Sequence, residues 1–263
     1  MTDSMPGASR VFGNRFAVDA SGRSRRVDEA CFRQPNTRVR FHGERQDTAS
    51  PGWRRLLELI DEAVEDGREV FRPLVDLTPL ERADLVTLPP TIAKLTRVRH
   101  LVLYGSPLVR VPPEIGAMAS LEVFEPYTSY ALHWFPLELT RCANLGRSTV
   151  STRALYGNYK YRYDFPQLQP EGALAKVPDR DDLDPQIWGA ETIRSCSVCD
   201  GPIEPVRFRQ VWISLRVATD VLPLLVNACS ENCVRALPDP PEGYVATTHQ
   251  GGRYVPQPEP SHR

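Results

Sequence analysis

The sequence predicts an α/β protein: a short solenoid of stacked repeats with an amino-terminal capping helix, followed by a small α+β unit that binds a metal ion. Two observations support this prediction. Three segments between residues 85 and 145 repeat one apolar pattern at offsets of 23 and 24 residues, and such a period is typical of a solenoid. Two close cysteine pairs, CSVC and CSENC, follow towards the carboxyl terminus, and this paired spacing is typical of metal ligands.

Composition restricts the class of protein. The chain has 263 residues, of which 41% are hydrophobic, and a formal net charge of −1. This length allows one extended domain or two smaller ones, and the balanced charge disfavours binding that depends on charge alone. No apolar run approaches the roughly 20 residues that cross a bilayer, and the first residues lack the apolar block of a secretory signal. We therefore expect a cytoplasmic protein, in which paired cysteines are more often metal ligands than disulfides.

Residues 1–49 have the composition of a weakly ordered, mildly basic amino-terminal arm. A helix is predicted to begin after Ser50, because serine caps free amide groups and Pro51 suits the first turn. Apolar residues then recur at helical spacing, and Gly67 marks the end; they are Trp53, Leu56, Leu57, Ile60 and Val64. We interpret this helix as a cap on the open end of the solenoid. The alternative is a helix that belongs to a separate small domain.

The repeated segments read LPPTIAKLTRV, VPPEIGAMASL and FPLELTRCANL. They resemble the leucine-rich repeats, in the variant with an LPxxI segment. The resemblance implies a curved solenoid whose concave parallel sheet binds a partner, although a repeat scaffold does not identify what it binds. Ser106 and Ser129 stand where that family prefers asparagine, and a serine hydroxyl can form part of the same hydrogen bonds to the turn. The first strand is predicted at Val75 and Leu77, followed by an insertion, TPLERAD.

Alternation along the strands separates core positions from the concave surface. In the second unit Leu101 and Leu103 point inward, and in the third unit Phe124 and Pro126 do so. The candidates for contact with a protein partner lie on the outward face or close to it; they are His100, Val102, Tyr104, Glu125, Tyr127 and Tyr130.

Aromatic residues alternate with charged ones after the repeats, at Tyr159, Tyr161, Tyr163 and Phe165. This pattern predicts a strand with one aromatic face, which we interpret as the carboxyl-terminal cap of a capped solenoid over residues 50–165. The alternative is an aromatic recognition surface. Residues 166–191 are rich in Pro, Asp and Gln, a composition typical of a linker.

The four paired cysteines form the candidate metal site. Cys196 and Cys199 share a tight turn, and Cys229 and Cys233 share one face of a short helix. Four thiolates are the usual ligands of a structural zinc ion. With the strand-like runs between the pairs, this order resembles the treble-clef zinc fingers, which implies a knuckle, a hairpin and a helix within residues 192–243. Two alternatives are four reduced core cysteines and a redox-active CxxC motif. Residues 244–263 are predicted to be a loosely held tail.

These features favour a non-enzymatic scaffold that binds a protein partner, with zinc as a structural cofactor. The alternative is a nucleic-acid-binding protein in which the zinc unit and Arg207, Arg209 and Arg216 contact phosphate, although arginines on a strand are equally typical of a solvated hairpin face. No small-molecule substrate is indicated. An enzyme is disfavoured, because the sequence holds no nucleophile motif or phosphate-binding loop and a closed zinc site leaves no position for substrate.

Overall fold

The computed structural model describes residues 44–158, 163–168, 195–203 and 209–259. The predictions for most of the arm, for Tyr159, Tyr161 and Arg207, and for most of the linker lie outside these residues. Within them the protein is mixed α/β, with one parallel sheet, one mixed sheet and few helices. No helix of the described ranges is long and apolar enough to cross a membrane.

The helices are short apart from the first one; they are α1 (Pro51–Glu65), α2 (Pro73–Asp76), α3 (Pro79–Ala83) and α4 (Glu231–Arg235). The strands are β1 (Val70–Phe71), β2 (His100–Val102), β3 (Val123–Glu125), β4 (Phe135–Pro136), β5 (Arg147–Ser148), β6 (Arg209–Val217) and β7 (Asp220–Ala228). Four 3₁₀ turns are also described: η1 (Pro90–Lys94), η2 (Pro113–Ala117), η3 (Leu137–Arg141) and η4 (Thr152–Ala154).

Helix α1 begins as predicted. The Ser50 hydroxyl accepts a hydrogen bond from the amide of Trp53, and Gly67 follows the helix with a positive φ of 63°. The buried stripe differs from the predicted one at its end, because Leu59 and Ala63 are buried whereas Val64 is 42% exposed. The helix packs against η1, so it covers the beginning of the parallel sheet and its turns.

The predicted position of the first strand is wrong. Val75 lies in helix α2 and Leu77 directly after it, whereas the strand that pairs with β2 is β1. Pro73 explains the difference, because proline favours the first turn of a helix and donates no ladder hydrogen bond. Val70 pairs with His100, an offset of 30 residues, or seven more than the 23 that separate β2 from β3.

Those seven additional residues correspond to the predicted insertion, TPLERAD, which folds as helix α3. Thr78 and Glu81 form a capping box, in which each side chain accepts a hydrogen bond from the other residue's amide. This local pairing stabilises the short helix. The insertion therefore leaves the pairing of β1 with β2 intact.

The parallel sheet has the order β1-β2-β3-β5, so neighbours in the sheet follow one another along the chain. Each of the last three strands follows the previous 3₁₀ turn, and turns η1, η2 and η3 pack side by side. Apart from the half-buried Leu145, the apolar repeat positions are buried; among those in one core are Leu88, Ile92, Leu101, Val111, Ile115, Phe124, Phe135 and Leu139. The predicted apolar period is therefore a row of core positions shared by consecutive units.

Serine hydroxyls connect consecutive turns behind the strands. Ser129 Oγ accepts a hydrogen bond from the Ser106 amide at 3.1 Å and donates to the Leu103 carbonyl at 2.9 Å, and it lies 2.7 Å from Ser106 Oγ. Ser151 Oγ accepts from the Thr128 amide at 2.8 Å. The predicted hydrogen bonds to the turn backbone are confirmed for Ser129, whereas the Ser106 hydroxyl contacts Ser129 Oγ. Ser151 repeats the arrangement of Ser129 in the next turn.

The mixed sheet has the order β4-β7-β6 and joins the repeats to the cysteine region. Strands β6 and β7 form the predicted antiparallel hairpin, and β7 pairs in parallel with β4, placing Phe135 opposite Leu224. Ser148 in β5 donates a 2.6 Å hydrogen bond to Asp220 at the hairpin turn. The hairpin core belongs to the same apolar cluster as the repeats, so the hairpin covers their carboxyl-terminal end.

The predicted aromatic cap is described only at Tyr163 and Phe165. Phe165 is buried in a second apolar cluster with Trp134, Tyr156 and Trp212. Its main-chain carbonyl accepts a hydrogen bond from the Gly252 amide at 2.7 Å. This end of the repeats is therefore packed by aromatic residues from four different chain segments.

Three segments expected to be loose are packed against the rest. Gln46, in the predicted arm, is buried and its side chain accepts a hydrogen bond from the Val86 amide at 2.7 Å. Leu168, in the predicted linker, donates its amide to the Gln250 carbonyl at 2.8 Å. His249, in the predicted tail, forms a bridge to Trp212 of β6. Each of these described positions forms a long-range contact that the composition of its segment does not reveal.

Candidate metal centre and partner surface

A tight loop positions the first cysteine pair. The Cys196 amide donates to the Gly201 carbonyl at 2.8 Å, and the Asp200 amide donates to the Cys196 carbonyl at 3.0 Å. Asp200 has a positive φ of 61°, a conformation that Asp tolerates better than most residues. The turn brings the side chains of Cys196 and Cys199 to the same side of the loop, as the CxxC spacing predicts.

The second pair lies at the end of β7 and in helix α4. Ser230 caps this helix, because its hydroxyl accepts a hydrogen bond from the Cys233 amide at 3.3 Å. The cap places Cys229 immediately before the first turn and Cys233 within it. One strand end and one helical turn therefore present two sulfur atoms to the loop that carries the first pair.

The sulfur atoms are spaced as ligands of one ion. Cys229 Sγ lies 3.6 Å from Cys199 Sγ and 3.6 Å from Cys233 Sγ, and all four ligand atoms, including that of Cys196, lie within 4.8 Å of one another. A disulfide requires about 2.05 Å, so these pairs are not bonded to each other. Tetrahedral zinc with bonds of about 2.3 Å separates its sulfurs by about 3.8 Å. The donor set and its spacing fit a closed four-thiolate site.

Backbone amides stabilise the thiolate of Cys196. Its Sγ accepts hydrogen bonds from the amides of Val198 and Cys229, each at 3.4 Å. Burial alone would raise the pKa of Cys196, but amide hydrogen bonds lower it to about 7. By contrast, burial raises the pKa of Cys142 to about 11, and that thiol donates to the Ile115 carbonyl within the core. Cys142 is therefore a core residue, as its repeat position predicts.

The cysteine loop is attached to the repeats by turn η3. Arg141 donates a hydrogen bond to the Ser197 carbonyl at 2.9 Å and forms an ion pair with Asp200 at 2.7 Å. Glu138 is buried beside the same loop, and burial raises the pKa of its carboxyl group although a hydrogen bond from Ser197 acts in the opposite direction. Both residues lie in η3, so the geometry of the metal site depends on the third repeat.

The candidate partner surface is the outward face of the parallel sheet. Tyr104 is 53% exposed and Tyr127 is 46% exposed, and their ring centroids lie 6.1 Å apart. His100 Nε2 lies 3.0 Å from Glu125 Oε2, on the same two strands. Val102, between these pairs, is half-buried. The inward neighbours Leu101, Leu103 and Phe124 are fully buried, which confirms the predicted alternation.

The sequence did not single out the charged row beside this face. Arg99 forms ion pairs with Glu122 at 2.8 Å and with Glu69 at 3.5 Å. These residues precede the strands, and their 23-residue offset could have identified the first pair. Tyr130, the remaining candidate, lies half-buried after the third strand. The sheet therefore has an ionic edge at the start of its strands and an aromatic edge at their ends.

The candidate arginines for nucleic-acid contact do not form one patch. Arg209 and Arg216 are both exposed, but they lie at opposite ends of β6, separated by about 23 Å of extended chain. The positions between them are buried on both faces of the strand, so β6 lacks the solvated face that the sequence suggested. This arrangement offers no continuous basic stripe within the described part of the chain.

Comparison with known proteins adds no family to these observations: no protein-family model matches the chain, and no curated protein matches it significantly.

Proposed function

We propose that this chain is a non-enzymatic scaffold of the leucine-rich-repeat type that binds a partner protein through the outward face of its parallel sheet. The single observation that carries the proposal is the exposed pair of Tyr104 and Tyr127, which lie in the turns that follow strands β2 and β3. Tyrosine offers a large contact area and loses little conformational freedom on binding. The neighbouring His100 and Glu125 add polar groups that can orient a partner.

The repeat interpretation is supported by three features of the parallel sheet. Strand partners are offset by 23 and 24 residues after the first unit, the sheet order follows the chain order, and the apolar repeat positions other than Leu145 are buried. Units of this kind bury their apolar faces only against one another. Helix α1 and the hairpin would then act as the two end caps of a short solenoid.

The cysteine cluster supports a structural zinc ion in a treble-clef-like unit. The loop with Cys196 and Cys199, the hairpin β6–β7 and the helix with Cys233 occur in the order that this resemblance implies. Four sulfur ligands leave no coordination position for substrate. When bound, the ion would cross-link the loop, the strand end and the helix, and would thereby brace the hairpin that covers the last repeat.

A matched set of tyrosine variants tests the proposed function. Wild-type protein, the double variant Tyr104→Ala/Tyr127→Ala and the control Tyr254→Ala would each be immobilised and exposed to extract of the source cell. Tyr254 is 68% exposed and lies outside the sheet. We expect a protein retained by the wild type and the control and lost, by at least tenfold, with the double variant. Equal retention by all three would contradict the proposed face.

A further inference from the structure

A recess of about 240 Å³ lies where turn η4, the β6–β7 turn and the carboxyl-terminal segment meet. Its polar wall is formed by Thr152, Asn158, Arg216, Thr219, Asp220 and Tyr244. Its volume corresponds to about eight molecules of liquid water and is smaller than the roughly 300–1,000 Å³ of pockets for drug-sized molecules. The recess is therefore suited to one side chain or one chain terminus of a larger partner.

The recess contains one positive group, Arg216, and one negative group, Asp220. Within the described part of the chain the guanidinium group of Arg216 has no hydrogen bond and no ion pair, whereas the carboxylate of Asp220 accepts the 2.6 Å hydrogen bond from Ser148. The guanidinium group carries five donors in a planar arrangement that matches a carboxylate. Thr152 lies in the same wall. This donor set favours an anionic oxygen group over a cation.

The recess lies next to the proposed partner face along the chain. Tyr127 precedes Thr128, whose amide donates to Ser151 Oγ at 2.8 Å, and Thr152 of the recess wall follows Ser151. A peptide that crosses the tyrosine pair therefore reaches the recess one strand further on, since neighbouring strands are only about 4.8 Å apart.

We propose that the recess binds a carboxylate of the partner, while adjacent residues of the same peptide contact Tyr104 and Tyr127. This inference rests on the proposed function and specifies the chemistry of the partner. The partner is an extended peptide with an acidic side chain or a free carboxyl terminus. The guanidinium group of Arg216 forms the ion pair with this carboxylate.

The experiment uses the full chain and a defined peptide library. Random dodecapeptides would be selected on the wild-type protein, and the bound peptides synthesised in three forms: unchanged, with each Asp or Glu replaced by its amide, and with an amidated carboxyl terminus. Fluorescence anisotropy would then measure their affinity for wild type, Arg216→Gln, Arg153→Gln and the double variant Tyr104→Ala/Tyr127→Ala. Arg153 is exposed and lies beside Thr152, but does not line the recess, so its variant controls for general charge.

We expect Arg216→Gln to weaken binding at least tenfold and Arg153→Gln to change it less than threefold. Neutralising one peptide carboxylate should weaken binding to the wild type by the same factor as Arg216→Gln does, and should leave binding to Arg216→Gln unchanged. If the amidated side chain causes this loss, the recess binds an acidic side chain; if the amidated terminus causes it, the recess binds the carboxyl terminus. If the peptides lose affinity for the double tyrosine variant but bind Arg216→Gln as tightly as the wild type, the proposed role of the recess is refuted while the proposed function stands. A selection without any peptide that needs the tyrosines would overturn both.

Discussion

Arg141 provides the sharpest test of the connection between the repeats and the metal centre. Its guanidinium group donates to the Ser197 carbonyl and pairs with Asp200, both within the loop of the first cysteine pair. A hydrogen bond from a charged group contributes about 1.5–3 kcal/mol, and this ion pair adds less than about 1 kcal/mol, because Asp200 is 67% exposed. The Arg141 side chain is itself 36% exposed, and solvent screening weakens its contacts. We therefore assign the lower value, about 1.5 kcal/mol of stabilising free energy, to the two contacts together.

If the loop adopts this conformation only around its ion, that free energy contributes to zinc affinity. Arg141→Ala should then weaken zinc binding about tenfold, because about 1.4 kcal/mol corresponds to a factor of ten. Competition against a chromophoric chelator would measure the dissociation constant. Asp200→Asn should have a smaller effect, and Arg147→Ala, at an exposed position of the next strand, should have none. An Arg141→Ala dissociation constant within twofold of wild type would refute the coupling.

Three further predictions concern the ion, the serine contacts and pH. Elemental analysis should find one equivalent of zinc in the wild type and none in the double variant Cys196→Ser/Cys229→Ser, and retention of zinc by the double variant would refute the proposed site. Ser129→Ala removes the contact of the buried Ser106 hydroxyl and one of two hydrogen bonds of both the Ser106 amide and the Leu103 carbonyl. Urea unfolding should therefore show a loss of about 1–3 kcal/mol in the free energy of unfolding, and an unchanged midpoint would contradict the role of this hydroxyl. Burial lowers the pKa of His249 to about 4 from its ordinary value of 6.5, so the unfolded chain takes up its proton first and stability should fall by up to about 3 kcal/mol as pH drops from 6.5 to 4. His249→Phe should flatten this part of the pH profile, and an unchanged slope would show that other groups cause it.

The parts of the fold that depend on local chemistry were predictable. The Ser50 cap followed by Pro51 predicted the start of helix α1, and the structure begins that helix at the predicted residue. The CxxC and CxxxC spacings predicted that Cys196 converges with Cys199 and Cys229 with Cys233, because short spacings bring two sulfurs together regardless of the rest of the fold. The predicted shared helix face is wrong for Cys229, which precedes the cap of helix α4 at the end of β7. Burial of Ile115 followed from the apolar period.

The parts that depend on distant partners were not predictable in the same way. Val75 and Leu77 fitted a strand pattern, but the first strand of the sheet is β1, in which Val70 pairs with His100. Pro73 begins a helix directly after this strand, so Val75 cannot continue it. His249 lies in a segment of loop-like composition, yet it forms a bridge to Trp212. Its burial depends on a strand far away in sequence, and no local pattern records that contact.

The sequence by itself therefore determined the apolar period, the capped first helix and the two close cysteine pairs, because each can be recognised from the residue types and their spacing along the chain. Only the tertiary structure decided which segment covers the last repeat and how the metal loop is attached to it. Pairing of Phe135 with Leu224 and the contact of Arg141 with Ser197 join segments more than fifty residues apart. Such contacts depend on the shape of both surfaces, which exists only once the repeats have stacked.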